Sequence, residues 1–212
     1  MNTSALLASS FFLALFAFTG AEFIYDSDGD IVSNGGKYYL LPRREGGGAI
    51  KGATINKPKS RSCYLAVVAE PLNENGWAVK IGTPYRLFHI SDDHPLNVSF
   101  ARLPSNACTH SPSWIVASVT GLDTDPVMVG KPEEFSVPRS GYFYIKKYES
   151  TQFYSFVFCY STSSCGYVAL KLDKYSNYRL VVTQDRSVRP VIFKLVKATS
   201  EDVESGGISM VV

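Results

Sequence analysis

The sequence has little of what enzymes and nucleic-acid-binding proteins usually show. Its 212 residues include only three histidines, and 21 basic and 19 acidic side chains leave a net charge of +2. The chain contains no long block of like charge, so its charge pattern does not indicate nucleic-acid binding. No Gly-x-Ser-x-Gly motif marks a nucleophilic serine, and His94 and His110 are better explained as loop residues than as catalytic bases. We therefore expect neither catalytic residues nor a nucleic-acid partner.

Residues 1–21 contain no charged side chain and include an apolar block. The block ends in Thr19-Gly20-Ala21, which places small residues where signal peptidase reads them, and it is too short for a membrane anchor. The sequence therefore predicts a signal peptide over residues 1–21 and a secreted mature chain that begins at Glu22. After its removal, no membrane partner is expected.

The remaining 191 residues fit one domain, which we place at residues 22–198, followed by a flexible C-terminal tail at 199–212. Runs of four to eight residues rich in Tyr, Phe, Val and Ile recur along the domain, and many alternate apolar with polar residues. This pattern is typical of half-buried β-strands, and no convincing helical stripe appears. Turn signals separate the runs. Periodicity alone leaves a sandwich and a closed barrel open.

The four cysteines of a secreted chain are expected to pair, and four permit three connectivities. Cys159 and Cys165 flank a short turn between two apolar runs, so a local bridge is geometrically easy. That leaves Cys63 with Cys108, which would close a long loop. A zinc site needs closely spaced ligand pairs, which this spacing does not provide.

Three further motifs favour simple interpretations. Asp26-Ser27-Asp28-Gly29-Asp30 suggests a calcium loop, but its glycine comes too early and Lys37 stands where a glutamate is needed, so we expect a turn and no metal. Gly46-Gly47-Gly48 lacks the Gly-Lys-Ser/Thr of a phosphate cradle and is expected to be a turn. Asn97-Val98-Ser99 is a sequon inside a predicted strand, which makes Asn97 a candidate N-glycosylation site.

One extended pattern runs from residue 23 to residue 197. It begins with Ile24-x-Asp26-x-x-Gly29-x-x-Val32 and, five residues later, Tyr38-x-Leu40. It continues through Cys63, Pro84-Tyr85-Arg86, His94-Pro95-Leu96, Trp114, Tyr154 to Cys159, Tyr178 to Val182 and Phe193-Lys194-Leu195. The chain thereby resembles the plant Kunitz-type trypsin inhibitor family. The resemblance implies a β-trefoil of twelve strands, six closing a barrel and six capping it, with disulfides Cys63–Cys108 and Cys159–Cys165.

The resemblance also implies a function, because the family inhibits serine proteases through one exposed, substrate-like loop. Here that loop is Thr83-Pro84-Tyr85-Arg86-Leu87-Phe88-His89, with Arg86 at P1 and Leu87 at P1′. A P1 guanidinium can form paired, charge-assisted hydrogen bonds with the aspartate in the S1 pocket of a trypsin-like enzyme. The family's loop-supporting asparagine corresponds to Asn34, and Pro84 stiffens the loop by fixing its own φ. No cofactor is implied.

Alternatives stay open on the same scaffold. Leu87 replaces a β-branched residue of well-known trypsin-inhibiting relatives and Phe88 a basic one, so a chymotrypsin-like target would fit if the register shifted by one. A non-inhibitory storage or defence protein is another interpretation. A third is an inhibitor of a cysteine protease or serine carboxypeptidase acting through the loop of Lys174 and Tyr175. Asn34 also fits a plain Asn-Gly turn. We expect a monomer in the apoplast or the vacuole.

Overall fold

The computed structural model describes residues 21–43, 48–56, 63–70, 76–119, 124–149, 151–173 and 177–199. Four sequence predictions therefore lie outside the described residues: the signal peptide up to Gly20, the turn at Gly46 and Gly47, the loop residues Lys174 and Tyr175, and the tail beyond Thr199. The described residues contain thirteen β-strands, one three-residue 3-10 helix (Pro132–Glu134) and no α-helix. The all-β prediction is confirmed.

The strands follow one another along the chain as β1 (Gly36–Pro42), β2 (Ala49–Asn56), β3 (Cys63–Glu70), β4 (Val79–Gly82), β5 (Asn97–Phe100), β6 (Trp114–Ser118), β7 (Asp125–Val129), β8 (Val137–Pro138), β9 (Tyr142–Lys147), β10 (Tyr154–Ser161), β11 (Ser164–Leu172), β12 (Tyr178–Thr183) and β13 (Phe193–Lys197). Only β8 is as short as two residues, and it pairs with the end of β6. The other twelve strands divide into a barrel and a cap.

Six strands form the barrel, and their pairing closes on itself. β1 pairs with β4 and β13, β4 pairs with β5, and β10 pairs with β9 and β13, all antiparallel. A bridge between Leu96 and Phe143 joins the β5 side to β9, where the Leu96 N–H donates to the Phe143 carbonyl at 2.7 Å. Closure leaves no open edge in this ring, which removes a template for unwanted strand pairing.

Three hairpins form the cap. They are β2–β3, β6–β7 and β11–β12, one from each third of the chain. Their inner strands β3, β7 and β12 pair with one another, so the cap is itself a triangle of hairpins. Each third of the chain thus supplies a barrel strand, a hairpin and a second barrel strand, and the predicted twelve-strand β-trefoil is confirmed.

Aromatic side chains fill the space between barrel and cap. Phe156 of β10 lies between Phe193, Phe143 and Trp114, with ring centroids 4.8, 6.1 and 6.1 Å away. All four are buried, and Trp114 also contacts Phe100 edge-on. Offset and edge-to-face contacts of this kind stabilise a core beyond the area that they bury. Phe100 lies in β5, so this packing holds one of the two strands that carry the predicted loop.

The turn predicted at Asp26 is present. The Asp26 Oδ1 atom accepts hydrogen bonds from the N–H groups of Asp28 and Asp30, each at 3.0 Å, and Gly29 has a φ of +86°. The side chain therefore bonds the backbone of its own turn, as aspartate often does. Within the described ranges, no group of three or more His, Cys, Asp or Glu side chains is arranged to hold a metal ion.

The cysteines form two disulfides, Cys63–Cys108 and Cys159–Cys165. The first ties the start of β3 to the chain between β5 and β6 and spans 45 positions in sequence. The second closes the β10–β11 hairpin across only 6 positions. The two bridges therefore restrict the unfolded chain to very different extents.

Loop length predicts unequal losses when the disulfides are removed. Replacing Cys63 and Cys108 with serine should lower the free energy of unfolding by about 4 kcal/mol, and replacing Cys159 and Cys165 by about 2 kcal/mol. The reason is that the longer loop gains more conformational entropy in the unfolded state. Denaturant unfolding of the two double variants beside the parent measures both. Equal losses would show that loop length does not set the effect.

Candidate functional site

The loop at residues 83–89 connects two barrel strands, β4 and β5, and protrudes from the barrel. Thr83 is buried and Ile90 is fully buried, whereas every residue from Pro84 to His89 is exposed. Phe88 reaches 89% exposure, which is unusual for an aromatic side chain. The backbone therefore leaves the barrel at one anchored point, returns at another, and presents its side chains to solvent between them.

Asn34 lies beneath this loop and bonds its backbone at four places. Its Nδ2 donates to the carbonyls of Tyr85 at 3.1 Å and Leu87 at 2.9 Å. Its Oδ1 accepts the N–H of Thr83 at 2.8 Å, and its own N–H donates to the Phe88 carbonyl at 2.8 Å. The two carbonyls on either side of Arg86 are thus held by one amide group.

A tight turn presents the Asn34 side chain to the loop. The Gly36 N–H donates to the Ser33 carbonyl at 3.0 Å, and Gly35 between them has a φ of +79°, which favours glycine. The facing residue, Gly82, leaves room for the amide, since a Cβ there would come within 3.0 Å of the Asn34 Oδ1. Asn34 is therefore both an Asn-Gly turn residue and a contact of the loop.

Arg86 occupies the tip of a three-residue turn. The Leu87 N–H donates to the Tyr85 carbonyl at 2.9 Å, a pattern typical of a γ-turn centred on Arg86. The Arg86 side chain is exposed, and among the described residues its guanidinium has no hydrogen-bond or ion-pair partner. A cationic group therefore points into solvent from a backbone that is bonded on both sides.

Two anchors of the loop were missed by sequence reasoning. The Ile90 N–H donates to the Val32 carbonyl at 3.0 Å, and Ser33 pairs with His89, so the N-terminal segment holds the chain where it leaves the loop. The Tyr85 ring packs edge-on against His94 at 5.7 Å. His94 is a loop residue, as the sequence indicates, but it also supports the residue before Arg86. Neither contact has a local sequence signal, because the partners belong to separate segments.

The second predicted loop is seen only at its ends, Asp173 and Asn177. The Asp173 N–H donates to the Asn177 carbonyl at 2.9 Å, and the Asn177 N–H donates to Asp173 Oδ1 at 3.0 Å. Arg179 Nε lies 2.6 Å from Asp173 Oδ2, with both side chains almost fully buried. These contacts form the base of a hairpin turn. Asn97, the sequon residue, begins β5 and its side chain is exposed.

A polar cluster on the cap resembles catalytic machinery only superficially. Ser118 Oγ donates to Asp125 Oδ1 at 2.5 Å, Arg139 Nε donates to Asp125 Oδ2 at 2.9 Å, and these residues line a cavity of about 590 Å³. Burial raises the pKa of Asp125, but hydrogen bonds from Ser118 and Arg139 and the guanidinium charge outweigh it and leave that pKa lowered. An ionised carboxylate that already accepts hydrogen bonds is a weak base, which argues against a catalytic role. The hydrogen bonds of the cluster instead fasten the β6–β7 hairpin to the segment after β8.

Comparison with known proteins identifies the family. The profile of the legume Kunitz family, described as trypsin and protease inhibitor, matches residues 24–195. The chain belongs to the legume Kunitz family. A chymotrypsin inhibitor of Erythrina variegata, ECI, is 33% identical over 186 residues, which is 84% of this chain and 97% of that protein. The members of this family inhibit proteases and are not themselves enzymes.

Solved Kunitz structures share the fold. Trypsin inhibitor 1 from Senna obtusifolia matches with a TM-score of 0.74 at 32% identity, covering 91% of this chain and 99% of that one. The soybean trypsin inhibitor in its complex with porcine pancreatic trypsin matches with a TM-score of 0.69 at 25% identity, covering 84% and 100%. In the part of this Kunitz chain that the structure describes, no helix is long and apolar enough to cross a membrane.

Proposed function

We propose that this Kunitz protein inhibits a trypsin-like serine protease by presenting the Arg86–Leu87 bond to its active site. The observation that carries the proposal is the set of Asn34 hydrogen bonds to the carbonyls on both sides of Arg86. Support for the partner comes from relatives named as trypsin inhibitors and from the soybean inhibitor, whose structure has been solved in complex with trypsin.

Binding is driven by the exposed guanidinium and by a loop that is already ordered. Arg86 enters the S1 pocket, where an aspartate accepts paired hydrogen bonds from it. Since Asn34 holds the loop backbone before the protease arrives, association loses little conformational entropy. Phe88 and Leu87 bury their exposed apolar surface against the primed side of the protease cleft.

The same contacts explain why the bond resists net hydrolysis. Attack by the protease serine on the Arg86 carbonyl breaks the bond to Leu87, leaving an acyl-enzyme and a free amine on Leu87. Because the Leu87 and Phe88 carbonyls stay bonded to Asn34, that amine remains beside the ester and can re-form the peptide bond. Water then has little chance to complete hydrolysis.

Secretion is part of the proposal. The uncharged, apolar N-terminus is removed after Ala21, and the mature inhibitor resides in the apoplast or the vacuole. The two disulfides support this location, because disulfides persist in oxidising compartments and are rare in the cytosol. Occupancy of the exposed Asn97 sequon is compatible with the same route.

A protease panel tests the proposal against its alternatives. The mature protein should bind trypsin at one-to-one stoichiometry with a Kd in the nanomolar range or below, on the order of that for other rigid inhibitor loops. It should inhibit chymotrypsin less, and should not inhibit a papain-like cysteine protease or a serine carboxypeptidase. Rapid digestion by trypsin, with early cleavage after Arg86, would instead support a storage protein. Stronger inhibition of chymotrypsin would indicate a chymotrypsin-like target and a shifted register, in which an apolar residue such as Leu87 occupies P1 in place of Arg86.

A further inference from the structure

The start of the predicted mature chain lies along the loop exit, which we define as residues 89–92. Phe23 pairs with Ser91, and the Ile24 N–H donates to the Ile90 carbonyl at 3.2 Å. Ile24 and Ile90 are both fully buried, so this short ladder is part of the core. The segment that signal peptidase would expose is therefore packed directly against the chain that leaves the binding loop.

The ladder ends in a reciprocal pair between Glu22 and Asp92. The backbone nitrogen of Glu22 donates to Asp92 Oδ1 at 3.1 Å, and the Asp92 N–H donates to the Glu22 carbonyl at 3.0 Å. The second oxygen of Asp92 accepts from Lys146 Nζ at 3.2 Å, and the Glu22 carboxylate pairs with Lys147. The Asp92 side chain is only 29% exposed, so solvent screens it in part.

Cleavage changes the chemistry of the nitrogen that faces Asp92. Hydrolysis of the Ala21–Glu22 bond leaves a carboxylate on Ala21 and an amine on Glu22, which takes up a proton at neutral pH. The neutral N–H donor then becomes an ammonium group. Hydrogen bonds between two ionised groups are shorter and roughly twice as strong as neutral ones. An oxygen of Asp92 is already in place to accept such a bond.

We infer that signal-peptide removal after Ala21 creates an α-ammonium group on Glu22 that pairs with Asp92 and tightens the loop exit, which makes Asp92 a positioning residue for inhibition. The inference rests on the proposed inhibitory function. A firmer exit restrains the Leu87 side of the scissile bond after attack, because His89 and Ile90 come only two and three residues after Leu87. The pair should therefore act on dissociation and net cleavage of the complex.

A double-mutant cycle tests this pair. The four proteins are the chain that begins at Glu22 with a free amine, its N-acetylated form, and both forms with Asp92→Asn. Acetylation alone and Asp92→Asn alone should each speed dissociation from trypsin and cleavage after Arg86 by about threefold, as a partly exposed ion pair allows. Acetylation should then have no further effect in Asp92→Asn. An acetylation effect that is absent, or equal in both backgrounds, would overturn the inference.

A control and a second readout separate this inference from the proposed function. Lys147→Gln removes the neighbouring pair with the Glu22 side chain, and the coupling between acetylation and Asp92→Asn should survive it. The thermal midpoint of the four proteins, measured without protease, should show the same coupling. If the thermal midpoint showed the coupling between acetylation and Asp92→Asn but the protein did not inhibit trypsin, the proposed function would be wrong and the Glu22–Asp92 pair would still stand. Inhibition with no coupling in either readout would refute the pair alone.

Discussion

The Arg86→Ala variant is expected to bind trypsin about 100-fold more weakly or worse, a loss of at least roughly 3 kcal/mol, as truncation of a binding hot spot commonly gives. The guanidinium is exposed at the tip of the loop, and its removal leaves the S1 aspartate of the protease buried and unpaired. Titration of trypsin activity with the parent and the variant measures the change in inhibition constant.

Two control variants test whether the loss of inhibition is specific to the positive charge at position 86. Arg86→Lys keeps a positive charge for the S1 pocket and should retain most of the inhibition. Arg186→Ala removes another exposed arginine, on the connection between β12 and β13, and should leave inhibition unchanged. If Arg86→Ala inhibited trypsin as strongly as the parent, the reactive site would lie on another loop.

The Asn34→Ala variant should turn the inhibitor into a substrate. It removes the side-chain hydrogen bonds to Thr83, Tyr85 and Leu87, each worth about 1 kcal/mol net, while the backbone bond to Phe88 stays. We expect cleavage after Arg86 to become faster by roughly 100-fold, because the loop no longer holds the two ends of the cut bond together. Gel electrophoresis of the variant incubated with trypsin follows the cleavage.

Asn34→Asp is the matched control for this effect. It keeps an acceptor for the Thr83 N–H but faces the carbonyls of Tyr85 and Leu87 with a carboxylate, which cannot donate. It should therefore be cleaved at least as fast as the alanine variant. Denaturant unfolding should show that both variants still fold, with a free energy of unfolding lowered by at most the ~3 kcal/mol that the three bonds contribute. Cleavage at the parent rate would rule out Asn34 as the loop support.

The two central residues were predictable from sequence for different reasons. Arg86 stands in a short motif, Pro84-Tyr85-Arg86, that resembles the inhibitory loop of a known family. Asn34 was placed by its position in the N-terminal pattern, and local chemistry alone would have made it an ordinary turn. The structure shows that the turn and the loop contact belong together, because the turn geometry is what directs the amide toward the loop.

Other parts of the site carry no local signal. The contact between Tyr85 and His94, the ladder of Ile24 on Ile90, and the cluster of Asp125 with Arg139 join segments that are separate along the chain. Such contacts depend on which strands become neighbours, and periodicity does not report this. Several features stay predictions: the signal peptide, the turn at Gly46 and Gly47, the Lys174 loop, the C-terminal tail, glycosylation of Asn97 and Arg86 as the P1 residue.

The sequence by itself determined an all-β domain, because alternation and turn residues are local properties. The arginine loop followed from the resemblance of its motifs to those of a known family. A sandwich and a barrel were equally compatible with its periodicity. Only the tertiary structure decided that the ring closes through Leu96 and Phe143 and which loop groups Asn34 bonds, among them the Thr83 N–H 49 residues away. Both depend on long-range pairing, whose free energy is gained only when distant strands pack around one shared core.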